Sequence, residues 1–445
     1  MKLSYRMAGR LPGRVLVLAL GLFLLSLGAS CRSAPSVANT TASASSSAGD
    51  RPIVLVGGTL YTTPEAPAIP DGAVLFRGGR IVFAGPRRAL RVPAQAQVID
   101  VRGQTVVAGF WNSHVHFTEP RWKGIAAQPA DRLVTELQAM LVRHGFVHVM
   151  DAGSFPEDTL ALRRRIESGE VAGPGLLTAG VPLVPVNGTP FYVEPLRLPE
   201  LPDPETARAR VREGLDQGLD AVKLMTVGLT RQRPFPVMPL EVVRAVAEEA
   251  HARHRLVLAH PTNEAGIRVA LEGGVDVLMH TTPISGPWSE ALVAALVRAR
   301  MALVPTLKLW DWELARAGRD AAERARFQAE GIEQLRVFAK AGGRVLFGTD
   351  VGYLIEDDPT DEYVAMARAG LDGRQLLATL TTAPAAEFGL GERTGKLVPG
   401  MDADVVVLDG DPAQDPRALA RVRRVYRAGR LLWGAETAGN LSRQR

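Results

Sequence analysis

Six polar side chains close apolar, strand-like runs in this chain of 445 residues. His114 and His116 stand in WNSHVHF, Lys223 in LDAVKLM, His260 in LVLAH, His280 in VDVLMH and Asp350 in RVLFGTD. Polar groups on such runs are costly to bury without partners, and five runs that end alike point to one shared site. Residues i and i+2 of a strand face the same side. His114 and His116 can therefore reach one ion, a pairing that suits zinc and its neighbours. Asp350 could ligate a metal and accept a proton from metal-bound water, although a helix N-cap is a common role for such an aspartate.

Lys223 is the most unusual of the six. Only six of the 52 basic residues are lysine, yet one is kept inside AVKLM. A guanidinium stays charged, whereas a buried amine can lose its proton. A neutral amine can react with carbon dioxide to give a carbamate, which turns a cation into an oxygen ligand able to bridge two metals. His260 and His280 are separated by PTNEAGIRVALEGGVDVLM, which reads as a loop, an amphipathic helix and a Gly-Gly turn. That spacing predicts equivalent positions on successive strands. Of the other histidines, His148 lies within FVHVMDAG and reads as core, while His251 and His254 lie on the helix-like EEAHARHR and read as exposed. Neither these nor His144 is assigned to the metal.

The elements that must position these groups alternate. Eight strands are expected, VVAGFWNSHVH, FVHVMDAG, LLTAGVPL, DAVKLM, LVLAH, DVLMH, ALVPTLK and VLFGTD, with helical patterns such as LVTELQAMLVRHG and PLEVVRAVAEEAHARH between them. This predicts an α/β fold of the TIM type, a (β/α)8 barrel over residues 108–387, with its active site where the strands end. Short β-runs broken by Gly and Asp precede it (52–107) and follow it (388–434), and are expected to join into one small β-sandwich built from both ends of the mature chain; residues 435–445 form a tail. The loops NGTPFYVEP and GLTRQRPFP, and LKLWDWE after the seventh strand, are expected at the mouth. Arg231, Arg233 or Lys308 could receive a substrate carboxylate there. Tyr192, Trp310 and Tyr353 could line an apolar pocket.

The first 31 residues read as a lipoprotein-type signal. A basic start is followed by VLVLALGLFLLSL, too short to span a bilayer comfortably, and then by GASC, which ends at Cys31. Cys31, the only cysteine, is the expected lipidation site, so export and a lipid anchor to the cell envelope are expected, at the outer membrane in a Gram-negative host, with simple secretion as the fallback. Residues 32–51, rich in Ser, Ala and Thr, read as a flexible tether. Four of the 52 basic residues lie in the signal. Without it 48 basic residues face 47 acidic ones, so the net charge of +5 falls to +1 and nucleic-acid binding has no support. Beyond Cys31 the body has no thiol, which excludes disulfides and cysteine ligation.

HVH, the strand lysine, the two strand-end histidines and the final aspartate resemble the amidohydrolase superfamily, and within it the imidazolonepropionase-like branch that includes bacterial prolidases and related dipeptidases. HGFVHVMDAGS, ALEGGVDVLMH and TTAPAAEFGLGERTGKLVPGMDADVVVLDGDP are similar to stretches of that branch, and the resemblance spans roughly residues 53–433. It implies a binuclear site. His114, His116 and Asp350 would hold the buried metal, His260 and His280 the exposed one, and a carboxylated Lys223 would bridge two divalent ions, with zinc expected. Two positions depart from the pattern. Asn112 stands where aspartate is often found. LLTAGVPLVP lacks a histidine that some dipeptidases of the branch use to grip a substrate carboxylate.

The expected activity is hydrolysis of a C–N amide-type bond in a small molecule, such as an N-acyl amino acid, a peptide or a cyclic amide. A metal-bridging hydroxide would attack, and Asp350 would act as general base and then acid. The alternatives are a mononuclear-metal deaminase, which needs no lysine, and a non-catalytic ligand-binding surface lipoprotein. Homo-oligomerisation is left open by the sequence.

Overall fold

The computed structural model describes residues 51–435. The signal and Cys31, the tether up to residue 50 and the tail after residue 435 lie outside the described residues. Among the described residues no helix is long and apolar enough to cross a membrane.

Sixteen strands are present among the described residues. The amino-terminal set is β1 (Ile53–Leu60), β2 (Ile69–Arg77), β3 (Arg80–Pro86), β4 (Gln97–Asp100) and β5 (Thr105–Ala108). A central set follows: β6 (Phe110–Val115), β7 (Phe146–Asp151), β8 (Gly175–Thr178), β9 (Ala221–Met225), β10 (Leu256–His260), β11 (Val277–Met279), β12 (Ala302–Val304) and β13 (Arg344–Val345). The last set is β14 (Val405–Leu408), β15 (Val422–Arg427) and β16 (Arg430–Gly434).

The two outer sets pair with each other. They form one mixed sheet in the order β16-β15-β14-β5-β1-β2-β3, with β4 also paired to β1. Its side chains alternate as the period of two requires. Leu55, Val74 and Phe76 enter one apolar cluster, and Val54, Val56, Ala73 and Leu75 enter another.

The central strands are parallel and near-continuously apolar, as strands covered on both faces must be. Every residue of β6, β7 and β9 is buried. They pair in two groups, β6-β7-β8 and β13-β12-β11-β10-β9. Backbone hydrogen bonds run between the groups on both sides. On one, Ser113 N–H donates to Phe347 O (2.8 Å), Asp350 N–H to His114 O (2.8 Å) and His116 N–H to Val351 O (2.8 Å). On the other, Leu183 N–H donates to Lys223 O (2.9 Å) and Met225 N–H to Leu183 O (2.9 Å). Helices such as Ala130–Met140, Leu240–His251 and Ala321–Lys340 connect successive strands.

Three expectations need correction. The run VVAGFWNSHVH is two strands: β5 belongs to the mixed sheet and β6 to the parallel set. The break falls at Gly109, where a Cβ would lie 2.3 Å from Val147 Cγ2 and 3.0 Å from Asp404 Cβ, so the two layers approach too closely there for a side chain. The stretch LKLWDWE is not a loop, because β12 ends at Val304 and a helix occupies Leu307–Arg316. His260 and His280 are not at equivalent register. Leu258 pairs with Val277 and Ala259 with Leu278, so continuing the ladder sets His260 beside Met279 and His280 one residue further on.

Candidate metal centre

His114 is carried on β6, and His116 follows the end of that strand. Their Nε2 atoms lie 3.2 Å apart, and Asp350 Oδ1 lies 3.3 Å from the first and 2.9 Å from the second. His114 and Asp350 are buried. His116 Nδ1 faces the carbonyl oxygen of Gly153 at 2.9 Å. A carbonyl only accepts, so the proton sits on Nδ1 and the Nε2 lone pair faces Asp350. Three electron-rich atoms thus crowd one small volume. A single proton can satisfy one edge of that triangle; a cation satisfies all three. Ligands about 2.0–2.1 Å from a tetrahedral zinc are about 3.3 Å from each other, which the three separations match. Asp350 Oδ1 and His114 Nδ1 are moreover buried without a hydrogen-bond partner. These residues fit a divalent cation.

The remaining three ligand candidates meet the same volume. His280 follows β11, and its ring lies 4.7 Å from that of His114 and 4.5 Å from that of His260. Ligand atoms of His114, His280 and Asp350 fall within 4.8 Å of one another. The register offset does not separate the rings of His260 and His280, and His280 takes a left-handed backbone (φ 85°). Its Nδ1 lies 2.6 Å from Thr306 Oγ1, which is also 2.9 Å from the carbonyl oxygen of Pro305. The hydroxyl has one proton, and the carbonyl takes it. Thr306 then accepts from His280 Nδ1–H, which leaves Nε2 unprotonated. Asp350 (φ 62°) and Thr306 (φ 46°) are left-handed too, so three non-glycine residues around the site hold a backbone that costs energy elsewhere.

Lys223 lies in the middle of β9 and is buried. Burial pushes its ammonium down to about 7, against the pull of Asp350 and Asp151. Its charge in turn helps to hold His114, His260 and His280 below the usual imidazole range, where burial is the first cause; His260 falls to about 3. His116 differs. Burial pulls it down, but the carboxylate of Asp350 beside its Nε2 prevails and raises it. The neutral imidazoles of His114, His260 and His280 and a lysine able to shed its proton are the ionisation states that metal ligation requires, and a cation at Nε2 would displace the proton that Asp350 favours on His116.

Asn112 explains how the first and last strands of the parallel set hold this geometry. Its Nδ2 donates to Thr349 Oγ1 (2.7 Å), and its Oδ1 accepts from His114 N–H (3.2 Å) and Thr349 N–H (3.1 Å). Gly348 lets the strands approach: a Cβ there would lie 2.9 Å from His114 Cβ and 2.4 Å from Val304 Cγ1.

The candidate substrate-binding residues scatter. The rings of Tyr192 and Tyr353 lie 5.4 Å apart at a tilt of 57°, with Trp312 5.7 Å from Tyr353 and Phe191 5.7 Å from Tyr192. Burial raises both phenols, and the charge of Asp350 adds to the effect on Tyr192. Tyr353 donates to Glu313 (2.5 Å) and accepts from Arg316 (3.0 Å). Trp310 lies 6.0 Å from the His280 ring and donates to Thr281 Oγ1 (2.9 Å). Arg231 is 71% exposed and sits 3.6 Å from Glu194. Arg233 covers Phe235. Lys308 is held by Glu356 (3.0 Å) and the carbonyl oxygen of Asp358 (3.0 Å). The structure thus brings Trp310 to the His280 ring and Tyr353 to the backbone of Asp350, with Tyr192 next to Tyr353, while the three cations have other partners.

Asp151 was missed, although it closes the buried strand β7 as the other site residues close theirs. It accepts from Ser154 Oγ (2.5 Å) and Thr178 Oγ1 (2.6 Å), its charge acts on His116, and burial raises it. His148 is buried and paired with Asp404 (2.7 Å) away from the ligand set, as its core reading expected. His251 is paired on the surface with Asp276.

Comparison with known proteins gives the same picture at the level of the whole chain. Ochratoxinase of Aspergillus niger is 23% identical over 435 aligned residues, which cover 86% of this chain and 87% of the relative. The crystal structure of a prolidase complexed with N-methylphosphonate-L-proline is 28% identical, covers 85% of this chain and 99% of its own, and superposes with a TM-score of 0.71. A further amidohydrolase structure is 26% identical at a TM-score of 0.70. The model of the amidohydrolase family matches residues 105–432. That span takes in every candidate ligand and well over half of the chain, and the protein belongs to the amidohydrolase family.

Proposed function

We propose that this family member is a metal-dependent hydrolase that cleaves an amide-type C–N bond in a small molecule, with two divalent ions held by His114, His116, His260, His280 and Asp350 and bridged by a carboxylated Lys223. The observation that carries this reading is the convergence of His114 Nε2, His116 Nε2 and Asp350 Oδ1 within 3.3 Å, beside a buried lysine. When bound, the ions would activate water and polarise the scissile carbonyl. The chain does the rest. Gly153 and Thr306 hold the protons of His116 and His280 on Nδ1. Asp350 takes a proton from the attacking water and returns it to the departing nitrogen. Tyr192, Tyr353 and Trp312 offer flat apolar surface, which favours a substrate with an aromatic or other apolar group next to the amide. The names of two relatives, ochratoxinase and prolidase, agree with such a hydrolase. The two parallel sheets, linked on both sides by hydrogen bonds, are read as arcs of one eight-stranded barrel whose mouth holds the centre.

Metal content per chain tests the proposal, measured by elemental analysis in the wild type and in Lys223→Ala. About two ions in the wild type, falling to one or fewer in the variant with loss of amide hydrolysis, is the expected result. One ion in both, with activity retained by Lys223→Ala, would overturn it in favour of a mononuclear deaminase-type site.

A further inference from the structure

Thr306 occupies the position that should cap the helix Leu307–Arg316, yet it does not. Threonine at this position ordinarily accepts a hydrogen bond from an N–H of the first turn, but here the side chain makes no such bond. Its hydroxyl is turned instead to His280 Nδ1 and the carbonyl oxygen of Pro305. The first-turn N–H groups, which have no partner within the helix, are met from elsewhere. Leu307 N–H donates to Glu362 Oε1 (2.9 Å) and Lys308 N–H to Glu362 Oε2 (2.8 Å). Glu362 is fully buried and reaches across from another helix, Thr360–Arg368. The same helix start carries Trp310, which touches the His280 ring and holds Thr281.

We infer that Glu362 is a positioning residue for His280: by capping the helix in place of Thr306, it frees the Thr306 hydroxyl to fix the proton of His280 on Nδ1 and so present Nε2 to the metal centre. No functional group of Glu362 touches His280; it acts through two backbone N–H groups and one hydroxyl. Without its carboxylate, the uncapped N–H groups compete for Thr306 Oγ1, and a threonine that turns to the helix abandons the histidine. The inference rests on the reading of His280 as a metal ligand.

The test uses the full chain, stripped of metal and titrated with zinc against a competing chelator, with circular dichroism and melting temperature recorded alongside. Glu362→Gln keeps the size of the side chain but replaces one acceptor with a donor. It should weaken zinc binding at the affected site by about 10- to 100-fold, the range for loss of a group that orients a ligand. Thr306→Val should cause a similar loss and Thr306→Ser little. The double variant Glu362→Gln/Thr306→Val should bind no more weakly than Thr306→Val alone, because both changes act on one bond. Losses that multiply in the double variant, or a Glu362→Gln protein that melts lower yet binds zinc normally, would reduce Glu362 to a structural cap and overturn the inference. His280→Ala separates the two levels. If it leaves zinc affinity unchanged, His280 is not a ligand and the ligand assignment fails with the inference. If it weakens binding while Glu362→Gln does not, only the positioning role fails.

Discussion

Replacing Asn112 with alanine should loosen the join between the first and last strands of the parallel set and, with it, the metal centre. The side chain accepts from two backbone N–H groups, those of His114 and Thr349, and donates to the Thr349 hydroxyl. All three groups are buried, and the β6–β7 ladder is irregular between Asn112 and Val115, so the strands offer little replacement. A buried donor left without an acceptor costs about 1–3 kcal/mol. Two of them give about 2–6 kcal/mol, a large part of the stability of about 5–15 kcal/mol typical of folded proteins. With an m-value of about 3 kcal/mol/M, the urea midpoint should fall by about 0.7–2 M. Unfolding followed by tryptophan fluorescence measures this, since Trp111 is the neighbouring residue. Asn112→Asp is the control. Its carboxylate still accepts from both N–H groups, and the Thr349 hydroxyl can turn to donate to it, so it should lose less than half of what alanine loses. An alanine variant within about 0.3 M of the wild type, or an aspartate variant as unstable as alanine, would show that Asn112 does not hold the strands as argued.

Gly348→Ala should be poorly tolerated, because its Cβ would press on His114 Cβ at 2.9 Å and Val304 Cγ1 at 2.4 Å. Overpacking of this kind costs about 1–3 kcal/mol, and displacement of His114 should lower metal content; a variant with full metal content would contradict the account of close approach. His144 gives a prediction in pH. Burial and the neighbouring Arg143 push it down to about 4, against the weaker pull of Asp358. The unfolded chain then binds more protons than the native one between about pH 6.5 and 4, so the contribution of His144 is fully present above 6.5 and is lost as pH falls through 4. Urea midpoints across this window should fall less steeply in His144→Gln than in the wild type, by up to about one proton, or about 1.4 kcal/mol per pH unit. Parallel slopes would remove His144 from the acid response.

The candidate ligands were legible as a group because each lies within or just after a run of residues that must be buried, and a buried polar group without a local partner implies a distant one. The same rule applies to Asp151 at the end of FVHVMD and should have selected it. Other features depend on pairings that spacing does not encode. Whether Lys308 faces substrate is decided by Glu356 and the carbonyl oxygen of Asp358, almost fifty residues away. Whether Thr306 caps a helix or holds a histidine is decided by Glu362, on a different helix. The meeting of the two chain ends was readable from their shared β pattern. The break at Gly109 was not, because it arises from close approach to Val147 and Asp404. The register of His260 and His280 was misjudged because residue count between strands does not fix their pairing, which the ladder sets at Leu258 with Val277.

The hydrogen bonds between Asn112 and Thr349 join residues 237 positions apart. Bringing the ends of so long a loop together costs about 5 kcal/mol from its length alone. His114 and His116 stand at one end of that loop and Asp350 at the other, so no partly folded or shortened chain contains their triangle. A chain that has folded only its early strands has two histidines on one strand edge and nothing more. The triangle proposed as a metal centre therefore forms only when the segment after the last parallel strand docks on the first, and zinc affinity reports that docking.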